Sequence, residues 1–543
     1  MRRANTAEAI ADGLIANGIG TVYGLPGVQN DPFFDALFHR RDPLRVIHAR
    51  HEQGAAYMAL GAALATGEPQ ALSVVPGPGL LNAATALATA YSAHAPVLAL
   101  VGQIALQQIG RMTGQLHEVR DQSAILSSMT GSHSLIAGPS EVPAALARAF
   151  ATLRAPRRRP AGIEVPMDVW QRSAPLPAPA RIPAPEPPPV DEDAAERAAK
   201  LLAEAERPLI LIGGGALDAA AELAPLAEAL AAPVGAYRMG KGVLPGSHPL
   251  AANLPQAHAF WAEADVVLAV GTRLQLPLQA WGTDKALKII RLDAEAAELD
   301  RIAPPALGIV GNAAPVLRAI LRHLPRHLRA RPGRAEHVAE VKARVAARMR
   351  EALGPQLDWL AAMREALPEE GVFVDELTQL GYVARLAWDC PAPRRFLSSG
   401  YQGTLGYGFA TALGAQAALP DRPVLSISGD GGFLFTATEL ATAVQHGIPL
   451  VSVVFDDGAF GNVRLFQKTS YGNRLIASDL RNPSFPKLAE AFGADAPTAR
   501  SPAELRDALA RAFAARRPTV VTVPMGEMPS PWPFIFLPRV RGA

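Results

Sequence analysis

Two linked stretches decide how this chain is read: Pro423-Val-Leu-Ser-Ile-Ser428 running into Gly429-Asp430-Gly431, and Leu450-Val-Ser-Val-Val-Phe455 running into Asp456-Asp457-Gly458. Each is an apolar run of strand length that ends in an acidic turn, and the spacing between them predicts a helix over Ala437 to His446. In a βαβ unit the C-terminal ends of neighbouring parallel strands lie side by side. Asp430 and Asp457, 27 positions apart, are therefore expected at one sheet edge. Two acidic turns there, one rich in glycine, can hold a hard divalent cation and the diphosphate it carries. The pattern is that of a cofactor enzyme.

The same alternation extends over the whole chain. In the first part, helices at Ala7 to Asn17, Asp35 to His39, Glu52 to Ala65 and Leu81 to Ser92 alternate with strands at 21–23, 45–48, 70–75 and 97–101. Later strands are expected at 208–212, 264–270, 371–374 and 519–523. Repeated βα units imply doubly wound parallel sheets with helices on both faces. Two breaks divide them. Residues 175–189 contain eight prolines, the composition of an extended, semi-rigid linker, and a second break rich in Arg, His and Pro runs from Pro325 to Gly333. The expected fold is α/β in three domains: 1–174, 190–325 and 350–543. Gly213-Gly214-Gly215 follows a strand but completes no dinucleotide fingerprint, so it is read as a tight turn, with nucleotide contact the alternative.

Composition excludes several classes of function. With 543 residues, 49% hydrophobic, 19% charged and a net charge of +2, the chain is a well-buried globular protein without the field that draws nucleic acid. Cys390 is the single cysteine, so no intrachain disulfide and no cysteine-built metal site can form, and a buried spectator thiol is expected. No apolar run reaches membrane-spanning length and no signal-peptide core follows Met1-Arg-Arg. A soluble cytoplasmic protein with no membrane partner is the expectation.

At this point five motifs in order carry a resemblance: Leu25-Pro26-Gly27, His51-Glu52, Gly77-Pro78-Gly79 with Asn82, Gly403-Thr404-Leu405-Gly406, and the two acidic turns. Together they resemble the thiamine-diphosphate enzymes of the acetolactate synthase, benzoylformate decarboxylase and pyruvate oxidase superfamily, over nearly the whole chain. The resemblance implies a pyrimidine-binding domain, a central Rossmann-like domain and a diphosphate-binding domain, in that order, with thiamine diphosphate and Mg²⁺ as cofactors. It also implies at least a homodimer, and in this family usually a homotetramer, because the cofactor lies between the first domain of one subunit and the third of another.

Carried over residue by residue, Glu52 matches the glutamate that bonds N1′ of the aminopyrimidine, a role that calls for a buried carboxylate. Asp430 and Asp457 match the side-chain metal ligands and Ala459 the carbonyl ligand. Gly429, Gly431 and Gly432 match the diphosphate turn. Pro26, Gly27, Asn82, Thr378, Gln379, Gln402, Gly403 and Phe460 fall where relatives contact the cofactor. Leu405 matches the wedge that bends the cofactor, with a core leucine as the alternative. The departure is at Asp457, where the family usually has Asn; a second carboxylate beside Asp456 makes the site more negative.

The implied reaction is acetolactate synthase-like carboligation of 2-oxo acids through an enamine, with non-oxidative decarboxylation, or a relative that binds without turnover, as alternatives. Where those synthases have Phe-Gln-Glu, this chain has Leu116-His117-Glu118. His117 is thus a candidate catalytic proton shuttle, with a packing histidine as the alternative. Val28, Gln29, Val463 and Phe466 are expected to line the substrate pocket. The family's flavin-binding arginine segment is not reproduced at Gly271-Thr-Arg-Leu274, so FAD is not expected. The aromatic stretch Pro529 to Pro538 is read as a lid or as an interface strap.

Overall fold

The architecture is that of a computed structural model, which describes residues 2–328 and 333–542. Residues 1, 329–332 and 543, including part of the Pro325–Gly333 break and the outer ends of the first and third segments, lie outside the described residues.

Each of the three domains is built on a wholly parallel sheet. In the first, the strands lie in the order Arg45–His48, Thr21–Gly24, Gln70–Val74, Val97–Gln103, Ala161–Pro166, Ser132–Leu135. The central sheet runs Ala251–Ala252, Val234–Ala236, Pro208–Ile212, Val266–Val270, Lys288–Asp293, Leu307–Val310. The third runs Phe396–Leu397, Val372–Val374, Val424–Gly429, Val451–Asp456, Thr519–Pro524. Strand order reverses at Thr21–Gly24 beside Gln70–Val74, at Pro208–Ile212 beside Val266–Val270, and at Val372–Val374 beside Val424–Gly429, and the first sheet reverses again where Ser132–Leu135 takes the edge outside Ala161–Pro166. At such a reversal the flanking connections depart to opposite faces and leave a crevice outside the carboxyl ends of the strands. The Pro26-Gly27, Gly77-Pro78-Gly79, Gly213–Gly215 and Gly429–Gly431 turns follow strands that flank these reversals, and Asp456-Asp457 follows the next strand along.

The strands read as continuous apolar runs because helices cover both faces. Val424, Leu425, Ile427, Val453 and Val454 are wholly buried, and the two central serines, Ser426 and Ser452, satisfy each other across the ladder at 2.5 Å. The intervening helix is shorter than the sequence suggests. A four-residue helix, Asp430–Phe433, begins at the turn itself, and a 3₁₀ turn Ala437–Glu439 leads into Leu440–Gln445.

The proline-rich segment is extended and mostly exposed, yet it is tied to the first domain: Ile182 N–H donates to Asn17 Oδ1 at 2.9 Å, and Asn17 Nδ2 donates to the Ala180 carbonyl at 3.3 Å. The charged helix beyond the second break spans Ala335–Ala366 and kinks at Leu353, two residues before Pro355. First and third domains share one hydrophobic cluster, in which helix Glu52–Thr66 crosses helix Tyr407–Ala418. Central and third domains share another that contains Trp261, Trp281, Trp359 and Phe455.

Candidate active site

In the third sheet Gly429 is in register with Phe455, which brings Asp430 beside Asp456 and Asp457 at the strand ends. Asp430 is almost wholly buried, and Asn482 Nδ2 ties it to its neighbour by donating to Asp430 Oδ2 at 2.6 Å and Asp456 Oδ1 at 2.8 Å. The Asp430 carboxylate also accepts from Gly431 N–H at 2.8 Å and Ala459 N–H at 3.2 Å. Burial, with the Asp456 charge adding, raises the Asp430 pKa; burial and the facing Asp430 push Asp457 up to about 6. Two carboxylates packed this closely can supply oxygen donors to a hard divalent cation. Among the described residues no three His, Cys, Asp or Glu side chains converge, so further oxygens at such a site come from backbone, ligand or water.

The glycines of this turn have a second reason to be glycine. A Cβ on Gly432 would lie 2.2 Å from Glu376 Oε1, and one on Gly431 would lie 2.5 Å from the Phe460 ring. Glu376 is a residue that the sequence reading missed. It is 1% exposed and accepts from Gly406 N–H at 2.7 Å and Gly408 N–H at 3.2 Å, so one carboxylate braces the 403–408 segment against the Gly429–Gly432 turn. Burial raises its pKa to about 7. The signal that finds it is the one already used at Asp456-Asp457: two consecutive acids, Asp375-Glu376, directly after an apolar strand.

The remaining third-domain candidates divide. Thr378 Oγ1 caps helix Gln379–Ala387 by accepting from Leu380 and Gly381 N–H, which leaves its own proton to donate. Gln379 Nε2 donates to Asp457 Oδ2 at 2.6 Å while its Oε1 accepts from Met528 N–H at 2.6 Å. Its amide thus joins the acidic turn to the C-terminal segment. Thr404 is bonded to Tyr57 of the first domain at 2.6 Å, and Leu405 is half-buried between Gly403 and Gly406. Gln402 is exposed. Phe466 packs on Trp532, which also stacks on Phe536, so the aromatic tail covers the helix Gly461–Ser470, whereas Val463 is exposed.

In the first domain the crevice is walled by three loops. Asn30 Oδ1 accepts from Gly27 N–H at 2.8 Å and holds the Pro26-Gly27 turn. Gly77, at φ +56°, starts the helix Pro78–Ala93, and from its second turn Asn82 Nδ2 donates to Glu52 Oε2 at 3.0 Å. Glu52 opens its own helix and is half-buried, not buried as its expected role calls for. The reason is that the surrounding edge is open in a single chain, with Leu81, Val28 and Leu116 exposed. Its helix start is fixed by Glu439 of the third domain, whose carboxylate accepts from Arg50 and His51 N–H at 3.0 Å each. His117 is half-buried above Gly77 and bonded to Gln29 at 3.2 Å. Gln29 differs from the expectation: at 1% exposure it lies beneath this loop instead of lining a pocket wall.

At the central crevice a cavity of about 1230 Å³ is lined by Gly213, Gly215, His94, Arg273 and Arg394, among others. The tight-turn reading of the glycines has a direct cause: a Cβ on Gly213 would lie 2.4 Å from the Gly271 carbonyl oxygen. Cys390 is buried, and burial raises its thiol pKa to about 11.

Sequence models of thiamine pyrophosphate enzymes match all three domains: the N-terminal TPP binding domain over residues 4–125, the central domain over 195–320 and the C-terminal TPP binding domain over 377–523. The chain is 36% identical over 506 residues to a "Probable 2-ketoarginine decarboxylase" of Pseudomonas aeruginosa, covering 88% of this chain and 87% of that protein. It is 34% identical to a "Probable acetolactate synthase large subunit" of Methanocaldococcus jannaschii, covering 95% and 91%. Identity to a "Sulfoacetaldehyde acetyltransferase" of Castellaniella defragrans is 30%, covering 95% and 92%. The chain belongs to the thiamine-diphosphate-dependent enzyme family. Among the described residues no helix is long and apolar enough to cross a membrane.

One consequence of the acidic turn is testable directly. Asp457→Asn removes a charge beside Asp430 while keeping a side-chain oxygen. Calorimetric titration of the purified protein with thiamine diphosphate at fixed Mg²⁺ is expected to show equal or up to about tenfold tighter binding in the variant. A large loss of affinity would mean that the second carboxylate is itself required.

Proposed function

We propose that this enzyme depends on thiamine diphosphate and Mg²⁺ and decarboxylates a 2-oxo acid without oxidation, ending the cycle by returning a proton to the carbon that CO₂ leaves. Asp430, Asp457 and the Ala459 carbonyl would hold the metal. The Gly429–Gly432 turn and Thr378 would hold the diphosphate, and Glu52 would bond the aminopyrimidine. When bound, the cofactor would supply the electron sink for the pair that CO₂ release frees. Glu52 exchanges a proton with the pyrimidine ring nitrogen, and His117 carries protons at the substrate.

The observation that carries this reading is the imidazole at position 117. Acetolactate synthases resemble this loop but place an amide there, and an amide cannot deliver a proton near neutral pH, whereas imidazole can. The likeness to a protein named for 2-ketoarginine decarboxylation supports the same order. Sequence alone put carboligation first. That remains the second reading, favoured by the acetolactate synthase relative matched over 95% of the chain.

The active unit is proposed to be at least a homodimer, with a homotetramer as the full assembly, acting on small molecules in the cytoplasm. Leu81, Leu116 and Val28 on the first-domain edge, and Leu434 and Phe435 after the diphosphate turn, are exposed apolar residues that a second copy would cover.

A panel of 2-oxo acids that includes pyruvate, benzoylformate and 2-ketoarginine, assayed with both cofactors and scored separately for CO₂ and product, tests the proposal. The expected result is one aldehyde per CO₂ for at least one acid. A 2-hydroxy-3-oxo acid in place of aldehyde would establish the second reading, and no CO₂ from any acid would overturn both.

A further inference from the structure

We infer that Gln29 is a positioning residue that fixes His117 as the tautomer with its proton on Nδ1, so that Nε2 is the nitrogen that exchanges protons in the pocket. The inference rests on His117 acting at the substrate, as proposed above. Its geometry is independent of that role.

The Gln29 side-chain amide is held at both ends. Gln29 Nε2 lies 3.0 Å from the carbonyl oxygen of Leu116, and Gln29 Oε1 lies 3.2 Å from His117 Nδ1. A backbone carbonyl can only accept, so the end of the amide that faces it must be the NH₂. The other end is then a carbonyl oxygen, which can only accept, and Nδ1 must carry hydrogen for the second bond to exist. Reversing the amide would set oxygen against oxygen at Leu116. At 1% exposure no bulk water relieves that contact, and leaving a buried polar group unpaired costs about 1–3 kcal/mol.

Neither partner is free to drift. The Gln29 backbone carbonyl accepts from the indole N–H of Trp170 at 2.7 Å, and Trp170 is wholly buried. His117 sits at φ +66°, a left-handed conformation that is costly for a residue with a Cβ. Its carbonyl oxygen presses on Gly77, where an added Cβ would lie 2.3 Å away. Gly77 N–H in turn donates to Gln122 Oε1 at 2.8 Å, and Gln122 Nε2 donates to the wholly buried Glu164 at 3.0 Å. The strained loop is thus held from below by one amide and from the side by a buried polar chain. When Nε2 takes a proton from a substrate hydroxyl, the ring becomes imidazolium and Nδ1–H continues to donate to Gln29. When Nε2 gives that proton up, the starting tautomer returns without rotation of Gln29.

Solid-state ¹⁵N spectra of the full-length protein labelled at the histidine ring nitrogens test this, with the His117 signals identified by their loss in His117→Gln. The neutral ring is expected to be protonated at Nδ1 and bare at Nε2. Gln29→Met, similar in volume and without hydrogen bonds, is expected to shift the population toward the Nε2–H form and lower kcat about tenfold to hundredfold with KM within about twofold. A wild-type ring protonated at Nε2, or a tautomer unchanged in Gln29→Met, overturns the inference; the wild-type spectrum does so without relying on any variant folding. A tautomer as expected together with full turnover in His117→Gln overturns instead the proton-carrying role on which the proposed function depends.

Discussion

Glu52→Gln is expected to yield a soluble oligomer that still binds thiamine diphosphate with Mg²⁺ but turns over at least about a hundredfold more slowly than the parent enzyme. Glutamine keeps the volume and the acceptor toward Asn82 Nδ2, at 3.0 Å in the structure, so the local fold has no reason to change. The backbone contacts that fix the helix start are made by Glu439 to Arg50 and His51, and they do not involve the Glu52 side chain. What disappears is a group able to trade a proton with a ring nitrogen. The variant therefore separates chemistry from assembly: cofactor binding by calorimetry and oligomer mass by light scattering should hold while CO₂ release collapses. Turnover near the parent rate would remove Glu52 from the mechanism and weaken the case for catalysis on this scaffold. Loss of cofactor binding would instead assign Glu52 a structural role.

The fold was legible because its signals are periodic and local. Buried parallel strands read as apolar runs, and their carboxyl ends announce themselves by turn residues; Gly429, Asp430, Asp456 and Asp457 fell at one edge because register in a βαβ unit leaves little choice. Helix boundaries were less legible. The expected helix over Ala437 to His446 divides because a separate short helix starts at Asp430 and the chain turns again through Thr436 before Leu440. At the site, the acidic and glycine turns at the strand ends were legible, whereas most of the residues that hold those turns in place were not. Asn482 and Glu439 act across 52 and 389 positions of sequence, and such pairings leave no mark in either partner's neighbourhood, whereas Glu376 did carry a local signal in the acid pair after its strand. Gln29 shows the converse. Its place after the Pro26-Gly27 turn suggested a pocket wall, but the loop folds over it, and a polar side chain that looks ligand-facing in sequence became the buried support of His117.

Gly61→Val should be the most damaging single substitution away from the acidic turns. Helix Glu52–Thr66 crosses helix Tyr407–Ala418 so closely that a Cβ on Gly61 would lie 1.8 Å from the Thr411 carbonyl oxygen, and reciprocally one on Gly414 would lie 1.9 Å from the Met58 carbonyl oxygen. Glycine inside a helix ordinarily costs about 0.8–1 kcal/mol relative to alanine, so two at one crossing are explained by the approach they permit. Backbone cannot swing aside as a side chain can, and admitting even one methyl carbon means separating the helices by more than about 1 Å, which loosens the wholly buried Tyr57, Met58, Leu60 and Leu413 together. The expected loss is at the upper end for overpacking, about 3 kcal/mol or more, corresponding to a melting temperature lower by about 6–12 °C. Gly354→Ala is the matched control. That glycine lies at the kink between Leu353 and Pro355, where an added Cβ meets nothing within 4 Å, so the variant should melt within about a degree of the parent temperature. Because the same helix begins with Glu52, protein that survives Gly61→Val should also lose activity out of proportion to its folded fraction. A melting temperature within a degree of the parent would show that the first and third domains are not locked through this crossing, and that Glu439 alone sets the position of Glu52.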